Sequence, residues 1–252
     1  EGDQRLLGII TPVYNEAATV VRLLDQVWLQ SLPIPKELVI IESNSTDGSR
    51  ALVQSWVGRT KSQDPGASIS LLLQPVPRGK GNAVREGLAA ARGTYILIQD
   101  GDLEYDVSDY PALLQPLIEG KTRFVLGSRH LSAGDWKIRE LAKEPWKAIL
   151  LNFGGILFHG LFNVLFGTKL TDPTTMYKVF RRDCLEHFTL TGNRFDLDFE
   201  LVGKLIRAGF PPLEIPVGYR SRSYAEGKKI RIIHDPLLWI RIMFKTRLTP
   251  LK

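Results

Sequence analysis

Cysteine is almost absent from this chain of 252 residues, which contains one, Cys184. A single thiol excludes a disulfide framework within the chain, and no Cys-X-X-Cys pair or Cys/His spacing of a zinc site occurs. The four histidines, at positions 130, 159, 187 and 234, show no ligand spacing either. The cysteine content therefore fits a reducing compartment and a chemistry that does not depend on thiols.

Two common nucleotide motifs are also missing. No Gly-X-X-X-X-Gly-Lys-Ser/Thr loop occurs, and no Gly-X-Gly-X-X-Gly follows the first apolar run. ATP hydrolysis and dinucleotide redox chemistry are therefore poorly supported.

The positive charge is concentrated late in the chain. The formal net charge is +6, and most of the excess lies in YRSRSYAEGKKIRIIHD and WIRIMFKTRLTPLK. A basic surface suits nucleic acid, an anionic membrane or phosphorylated substrates. Aromatic residues do not interleave with the basic ones as they do on stacking surfaces, so no nucleic-acid partner is predicted.

One long segment lacks charge. Residues 148–168, AILLNFGGILFHGLFNVLFGT, contain no Asp, Glu, Lys or Arg, over roughly the length of a membrane span. The segment also contains two asparagines, a histidine and four glycines. These polar residues favour a helix in a core or at a membrane surface over a true span.

Strand and helix patterns alternate through the first half of the chain. Apolar runs at 6–10, 38–41, 68–75 and 93–100 read as strands, with the first breaking at Thr11-Pro12, and helical patterns separate them. This alternation predicts an α/β fold with a mainly parallel central sheet flanked by helices. The polar residues after each strand should then meet at one edge, where open α/β sheets bind ligands.

Four carboxylates follow the fourth strand in LIQDGDLEYD: Asp100, Asp102, Glu104 and Asp106. Clustered carboxylates repel one another unless a cation lies among them. Hard oxygen ligands beside substrate phosphates are the usual setting of Mg²⁺ or Mn²⁺. Upstream, RGKGNAVREG places Arg78 and Lys80 among glycines at a helix N-terminus, which suits a phosphate.

The motifs TPVYNE, IESNSTDGS, GKGNAVREG and IQDGDLEYD, in this order, resemble those of family-2 glycosyltransferases with the Rossmann-like GT-A fold. The likeness is greatest to dolichyl- or polyprenyl-phosphate mannose and glucose synthases and their bacterial relatives. GSR at 127–129, TDPTTMYKVFRR at 171–182 and YRSRSYAEGKK at 219–229 extend it over nearly the whole chain. The resemblance implies inverting transfer of a sugar from a UDP- or GDP-hexose.

The resemblance also implies roles for individual residues. The expected nucleotide-sugar contacts are Pro12, Tyr14, Glu16, Glu42, Ser43, Lys80, Asp100 and Gly101. Asp100, Asp102 and Glu104 match positions that hold the metal, with Gly101 where alanine is commoner and Ser43 where the family usually has an acid. Arg129, Arg222 and Lys228 match positions that hold the acceptor phosphate.

Two acceptors remain open. A polyprenyl phosphate is already anionic and needs cationic positioning more than a base, whereas a sugar hydroxyl needs a general base. Asp198, in FDLDFE, falls about where hydroxyl-acceptor members carry that base. Acidic residues at the start of a helix are also favoured by the helix dipole, which would explain Asp198 without a catalytic role. The candidate catalytic residues are Asp102, Arg129 and Asp198.

We therefore expect a transferase domain over residues 1–230 and a basic, amphipathic, membrane-proximal extension over 231–252. The protein is expected to lie peripherally at the cytoplasmic face of a membrane, with Mg²⁺ or Mn²⁺ as cofactor. Its partners would be a nucleotide-sugar donor and a polyprenyl-phosphate or glycan acceptor. A nucleotide-sugar binder without catalytic activity is the alternative from another functional class.

Overall fold

The computed structural model describes residues 5–133, 145–222 and 234–251. Seven strands form one sheet: β1 (Leu7–Val13), β2 (Lys36–Glu42), β3 (Ile69–Leu73), β4 (Tyr95–Ile98), β5 (Phe124–Ser128), β6 (Lys178–Arg181) and β7 (Leu213–Pro216). Within these residues, eight α-helices accompany it: α1 (Val20–Leu29), α2 (Ser49–Gln63), α3 (Lys80–Ala90), α4 (Tyr110–Ile118), α5 (Arg129–Ala133), α6 (Pro145–Phe166), α7 (Asp196–Arg207) and α8 (His234–Leu248).

The sheet is mainly parallel, as the sequence predicts. Its strand order is β3-β2-β1-β4-β6-β5-β7, and only β6 runs antiparallel to its neighbours β4 and β5. The central strands β1 and β4 are fully buried, because helices cover the sheet and their apolar side chains face the core on both sides. The carboxyl ends of β1, β2 and β4 therefore lie side by side at one edge.

The predicted end of the first strand was wrong. β1 continues through Thr11 and Pro12 to Val13, paired with β2 along its whole length. The backbone of Val13 bonds to Ser43 on the β2 side and that of Ile10 to Gln99 on the β4 side, so alternate residues face opposite neighbours. Pro12 thus faces the β4 side, where pairing has already ended at Ile10, and its missing N–H costs no ladder bond.

Helix α6 contains most of the uncharged segment, up to Phe166, and has an unusual distribution of side chains. Asn152, His159 and Phe162 are buried, whereas Phe153 and Val164 are among its exposed apolar residues. Two of the helix's polar residues therefore face the protein while much of its apolar surface faces outward. Among the described residues, no helix combines the length and apolarity needed to cross a bilayer.

Helix α8 lies against α7 and α6. Met243 and Ile242 are buried in this contact, and Leu237 and Leu248 are exposed. The Arg207 side chain of α7 donates to the Thr249 carbonyl at 2.6 Å, which fixes the end of the chain against the core helices. The domain boundary at residue 230 stays a prediction.

A candidate active site at the carboxyl edge of the sheet

The acidic loop after β4 places three carboxylates in one cluster. Asp102 is 5% exposed, and its Oδ1 accepts a hydrogen bond from the Glu104 backbone N–H at 3.0 Å. Burial, together with the charges of Asp100 and Glu104, raises the pKa of Asp102 to about 7, although Arg222 opposes the shift. The cluster thus carries negative charge that the protein only partly compensates. The chemistry of these oxygen donors suits Mg²⁺ or Mn²⁺, although the ligating atoms of the three carboxylates do not all lie within 4.8 Å of one another in this structure.

Arg222 is the cation that enters this cluster. Its Nη1 lies 2.8 Å from Glu16 Oε2, and its Nη2 lies 2.5 Å from Asp102 Oδ2. Its Nε lies 3.5 Å from Glu104 Oε1, and the same oxygen accepts from the Arg222 backbone N–H at 2.8 Å. Tyr219 reinforces the connection by donating to Glu104 Oε2 at 3.0 Å. Burial opposes the charge of Arg222, but the carboxylates, Asp102 foremost, outweigh it and raise the pKa of its guanidinium.

Lys80, the first residue of α3, approaches the cluster from the other side. Its Nζ lies 2.8 Å from Asp100 Oδ2 and 5.4 Å from the centre of the Phe195 ring. The flanking glycines are required by packing. A Cβ on Gly79, whose φ is +94°, would lie 2.3 Å from the Asn193 carbonyl oxygen, and one on Gly81 would lie 2.8 Å from the same residue. The glycine loop therefore holds α3 against the segment that leads into α7.

The ends of β1 and β2 are fastened to each other. Asn15 and Asn44 both have positive φ angles, 51° and 58°. The Asn15 N–H donates to Ser45 Oγ at 2.9 Å, and its side-chain oxygen accepts from the Thr46 N–H at 2.9 Å. Asparagine tolerates a positive φ better than most residues do, which explains its presence at both turns.

The residues predicted to contact the nucleoside line these strand ends. Pro12 and Ser43 are buried, Tyr14 is partly exposed, and Glu42 is fully buried. Burial alone would raise the pKa of Glu42, but hydrogen bonds from Ser45 and from the Arg50 side chain outweigh it and lower the pKa. Glu42 is therefore an anion held by the protein itself. Gly101 lies beside β1, where an added Cβ would meet the Pro12 carbonyl oxygen at 3.3 Å.

Arg129 is engaged in a buried ion pair that sequence reasoning missed. Its Nε and Nη2 lie 2.6 and 2.7 Å from the two oxygens of Asp172, and Nη2 also reaches Thr174 Oγ1 at 3.0 Å. Burial would raise the pKa of Asp172, but the guanidinium more than offsets this and lowers it. The Cζ atom of this guanidinium also lies over the Tyr219 ring, 5.1 Å from the ring centre. Tyr219 in turn bonds to Glu104, the partner of Arg222.

The fold also brings together two histidines that lack ligand spacing in the sequence. The ligating atoms of His130, His159 and Asp172 lie within 4.8 Å of one another. His159 Nε2 is 3.1 Å from Thr174 Oγ1 and 3.9 Å from Asp172 Oδ1. Because Asp172 already binds the Arg129 guanidinium through both oxygens, a cation at this group would compete with Arg129 for that carboxylate.

Asp198 forms an ion pair with a fully buried lysine on β6. Lys178 Nζ lies 2.9 Å from Asp198 Oδ1 and also donates to the Thr175 carbonyl. Burial lowers the pKa of Lys178, although Asp198 works in the opposite direction. The sequence marks Lys178 only as a single charged residue among the apolar residues of a predicted strand. The other acids of this helix have structural partners, since Asp196 accepts from the Arg194 N–H and Glu200 from the N–H groups of residues 191 and 192.

The predicted site residues therefore form two connected groups in the described part of the chain. In the first group, the cations Arg222 and Lys80 flank the neighbouring carboxylates of Asp102 and Asp100. Asp198, paired with Lys178, continues this group on the α7 side. Arg129 lies behind Tyr219, bound to Asp172. Lys228, the remaining predicted phosphate contact, lies outside the described residues. A groove of about 700 Å³ exists at the opposite edge of the sheet, near Arg85 and Arg182, away from all of these residues.

The chain belongs to glycosyl transferase family 2, whose family model matches residues 8–189. It is similar to the glycosyltransferase AglJ of Haloferax volcanii, at 27% identity over 90% of this chain and 67% of the relative. It is also similar to the dolichyl-phosphate β-glucosyltransferase of Dictyostelium discoideum, at 26% identity over 86% and 67% of the two chains. A dodecaprenyl-phosphate galacturonate synthase of Rhizobium johnstonii matches at 25% identity, over 74% of this chain and 51% of the relative.

Solved structures share the fold. Glucosyl-3-phosphoglycerate synthase of Mycobacterium tuberculosis, in complex with UDP, superposes with a TM-score of 0.67 at 18% identity, over 98% of this chain and 81% of the other. A mannosyltransferase of Pyrobaculum calidifontis, in complex with GDP-mannose and Mn²⁺, gives 0.56 at 21% identity, over 84% and 55%. These structures confirm the predicted α/β GT-A fold, and the family match confirms the assignment to the glycosyltransferases.

Proposed function

We propose that this glycosyltransferase moves a hexose, with inversion, from a UDP- or GDP-sugar to a polyprenyl phosphate, using Mg²⁺ or Mn²⁺ held by Asp100, Asp102 and Glu104. The observation that carries the proposal is the carboxylate cluster around the buried Asp102, at the carboxyl ends of the parallel strands. A metal ion bound there would stabilise the negative charge on the departing nucleoside diphosphate. The protein's own residues would bind and orient the two substrates.

The donor half of the site is formed by β1, β2 and α3. Backbone N–H groups at the start of α3 and the Lys80 ammonium suit the diphosphate. The strand-end residues Pro12, Tyr14 and Ser43 would hold the nucleoside. Glu42 is fully buried, and its oxygens already accept from the Ser45 N–H and the Arg50 side chain, so it fixes the loop after β2 in this part of the site.

The ion pair of Asp198 favours an anionic acceptor over a sugar hydroxyl. A hydroxyl acceptor would require Asp198 to take a proton during the reaction. Protonation would cost Asp198 its ion pair and leave the buried Lys178 ammonium without a carboxylate, which is unfavourable in an apolar interior. A phosphate needs no such step, and the late basic residues Arg222 and Lys228 are suited to position it.

Helix α6 supports a lipid acceptor at a membrane surface. Its exposed apolar side chains would be costly to leave in water as a contiguous surface, whereas a polyprenyl chain or a bilayer interface would cover them. Relatives named as dolichyl-, dodecaprenyl- and undecaprenyl-phosphate transferases support the same acceptor class. The peripheral location at the cytoplasmic membrane face belongs to this proposal.

Calorimetric titration with UDP and GDP, each with Mn²⁺, tests the donor half of the proposal. We expect one nucleotide to bind to the wild-type protein only with the metal, and this binding to be lost in Asp102→Asn. Asp106→Asn is the matched control, because it removes a nearby exposed carboxylate while asparagine can still accept from the Ser108 N–H. Failure of a folded wild-type protein to bind either nucleotide would refute the proposal.

The acceptor part of the proposal is tested in a transfer assay, which uses the UDP- or GDP-sugar selected by the calorimetric titration. Product formation from a detergent-solubilised polyprenyl phosphate is compared with that from a glycan carrying free hydroxyls. Asp198→Asn should keep measurable transfer to the phosphate, since no base is needed. Exclusive transfer to a hydroxyl, abolished by Asp198→Asn, would instead establish Asp198 as the general base.

A further inference from the structure

Arg222 occupies a position that a divalent cation in the carboxylate cluster would need. Its guanidinium lies between Glu16, Asp102 and Glu104, with the shortest contact, 2.5 Å, to Asp102. The side chain is mostly buried, and these carboxylates come from segments up to 206 residues away in sequence. The contact is therefore a tertiary one, formed across the mouth of the site.

Asp102 cannot bind the Arg222 guanidinium and a metal ion at full strength at the same time. A metal ion bound by Asp102 and Glu104 would place a charge of +2 within a few ångströms of the guanidinium, and both would compete for the same carboxylate oxygens. The carboxylates gain more from a divalent ion with its diphosphate than from one arginine. Binding of the metal and the nucleotide should therefore displace Arg222 from Asp102.

We propose that Arg222 is the counterion of the metal-free site and is released when metal and nucleotide bind, which makes its guanidinium available to the acceptor phosphate. This inference rests on the proposed function: the displacement needs its metal site, and the second role of Arg222 also needs its phosphate acceptor. Its consequence is an order of binding, because the donor complex must form before Arg222 can meet a phosphate. The same residue thus compensates the cluster in one state and positions the acceptor in the other.

The first experiment measures Mn²⁺ affinity without nucleotide, from the loss of the free-ion electron paramagnetic resonance signal. Because displacement breaks charge-assisted hydrogen bonds, we expect Arg222→Gln to bind Mn²⁺ roughly tenfold more tightly than wild type. Arg220→Gln is the matched control, since it removes the same charge two residues away from an exposed side chain, and it should change the affinity by less than about twofold because exposed charges are screened. Arg222→Lys keeps the charge without the planar fork and should give an intermediate affinity.

The second experiment measures binding of citronellyl phosphate, a short prenyl phosphate, with and without Mn²⁺ and the preferred nucleotide. Linkage requires that metal and nucleotide raise its affinity in wild type, and that this increase vanish in Arg222→Gln. Circular dichroism and thermal unfolding verify that each variant is folded.

The outcomes separate the two claims. Equal Mn²⁺ affinities for wild type and Arg222→Gln would overturn the displacement. Tighter Mn²⁺ binding by Arg222→Gln, with coupling to the prenyl phosphate that survives the substitution, would overturn the second role of Arg222. Tighter Mn²⁺ binding with no prenyl phosphate binding in any protein would support the displacement and refute the proposed acceptor.

Discussion

The ion pair between Arg129 and Asp172 allows a quantitative prediction. Asp172 is fully buried and Arg129 nearly so, and two of the guanidinium nitrogens bind both carboxylate oxygens. Asp172→Asn keeps the shape of the side chain but leaves a buried positive charge without its counterion. Removing one partner of a buried pair costs about 3–5 kcal/mol. Because each kcal/mol corresponds to roughly 2–4 °C in a chain of this size, the melting temperature should fall by roughly 10 °C.

Thermal unfolding near neutral pH, followed by circular dichroism, measures this loss. Glu119→Gln is the matched control, because Glu119 also pairs with a cation, Lys121, but does so in an exposed position, where a salt bridge contributes about 1 kcal/mol or less. A melting temperature for Asp172→Asn within the range of this control would refute the view that the pair is a buried, mutually dependent unit.

The pH dependence supplies a second criterion for the same pair. The pKa of Asp172 is lowered in the folded protein, so its stabilising contribution is present above the ordinary aspartate pKa of 3.8. It is lost as the pH falls through the lower folded value. The stability difference between wild type and Asp172→Asn should therefore persist down to about pH 4 and shrink only in stronger acid.

Two further predictions concern the glycines and the carboxylate cluster after β4. Gly79→Ala should destabilise the protein in urea unfolding, because its Cβ would overlap the Asn193 carbonyl at 2.3 Å, whereas Gly101→Ala, with 3.3 Å to the nearest atom, should be tolerated. Equal stability of the two variants would contradict the packing argument. The pKa of Asp102 is raised to about 7, so protons should compete with Mn²⁺ for this carboxylate. The affinity of the protein for Mn²⁺ should therefore fall roughly 20-fold between about pH 7.5 and about pH 5.5. An affinity that stays flat to about pH 5.5 would imply an ordinary aspartate pKa.

The sequence predicts the parts of this molecule whose physical signal is local. Apolar runs predict the buried strands, and the acids after the fourth run predict a cation site, because burial and like-charge repulsion act between neighbours in the chain. The family resemblance predicted the fold, which the comparisons confirm. The roles assigned to individual residues stay predictions.

Long-range pairing was outside the reach of the local pattern. Nothing near Asp198 indicates that its partner is Lys178, and nothing near Arg129 selects Asp172 among the acids of the chain. The antiparallel insertion of β6 between β4 and β5 is likewise a matter of topology, which a run of apolar residues does not encode. The wrong prediction that the first strand ends before Pro12 has the same origin, because a proline fits in β1 only where β4 has already ended.

The contact of the glycine loop with residues 192–194 joins the two halves of the site mechanically. Lys80 follows Gly79 directly, and Asp198 lies one helical turn beyond the segment on which Gly79 and Gly81 rest. In the proposed mechanism Lys80 belongs to the donor side and Asp198 borders the acceptor side, and these two sides could not shift independently at this contact. A chimaera with another transferase should therefore exchange the glycine loop at residues 79–81 and the segment at 192–194 together, because the two segments pack directly against each other.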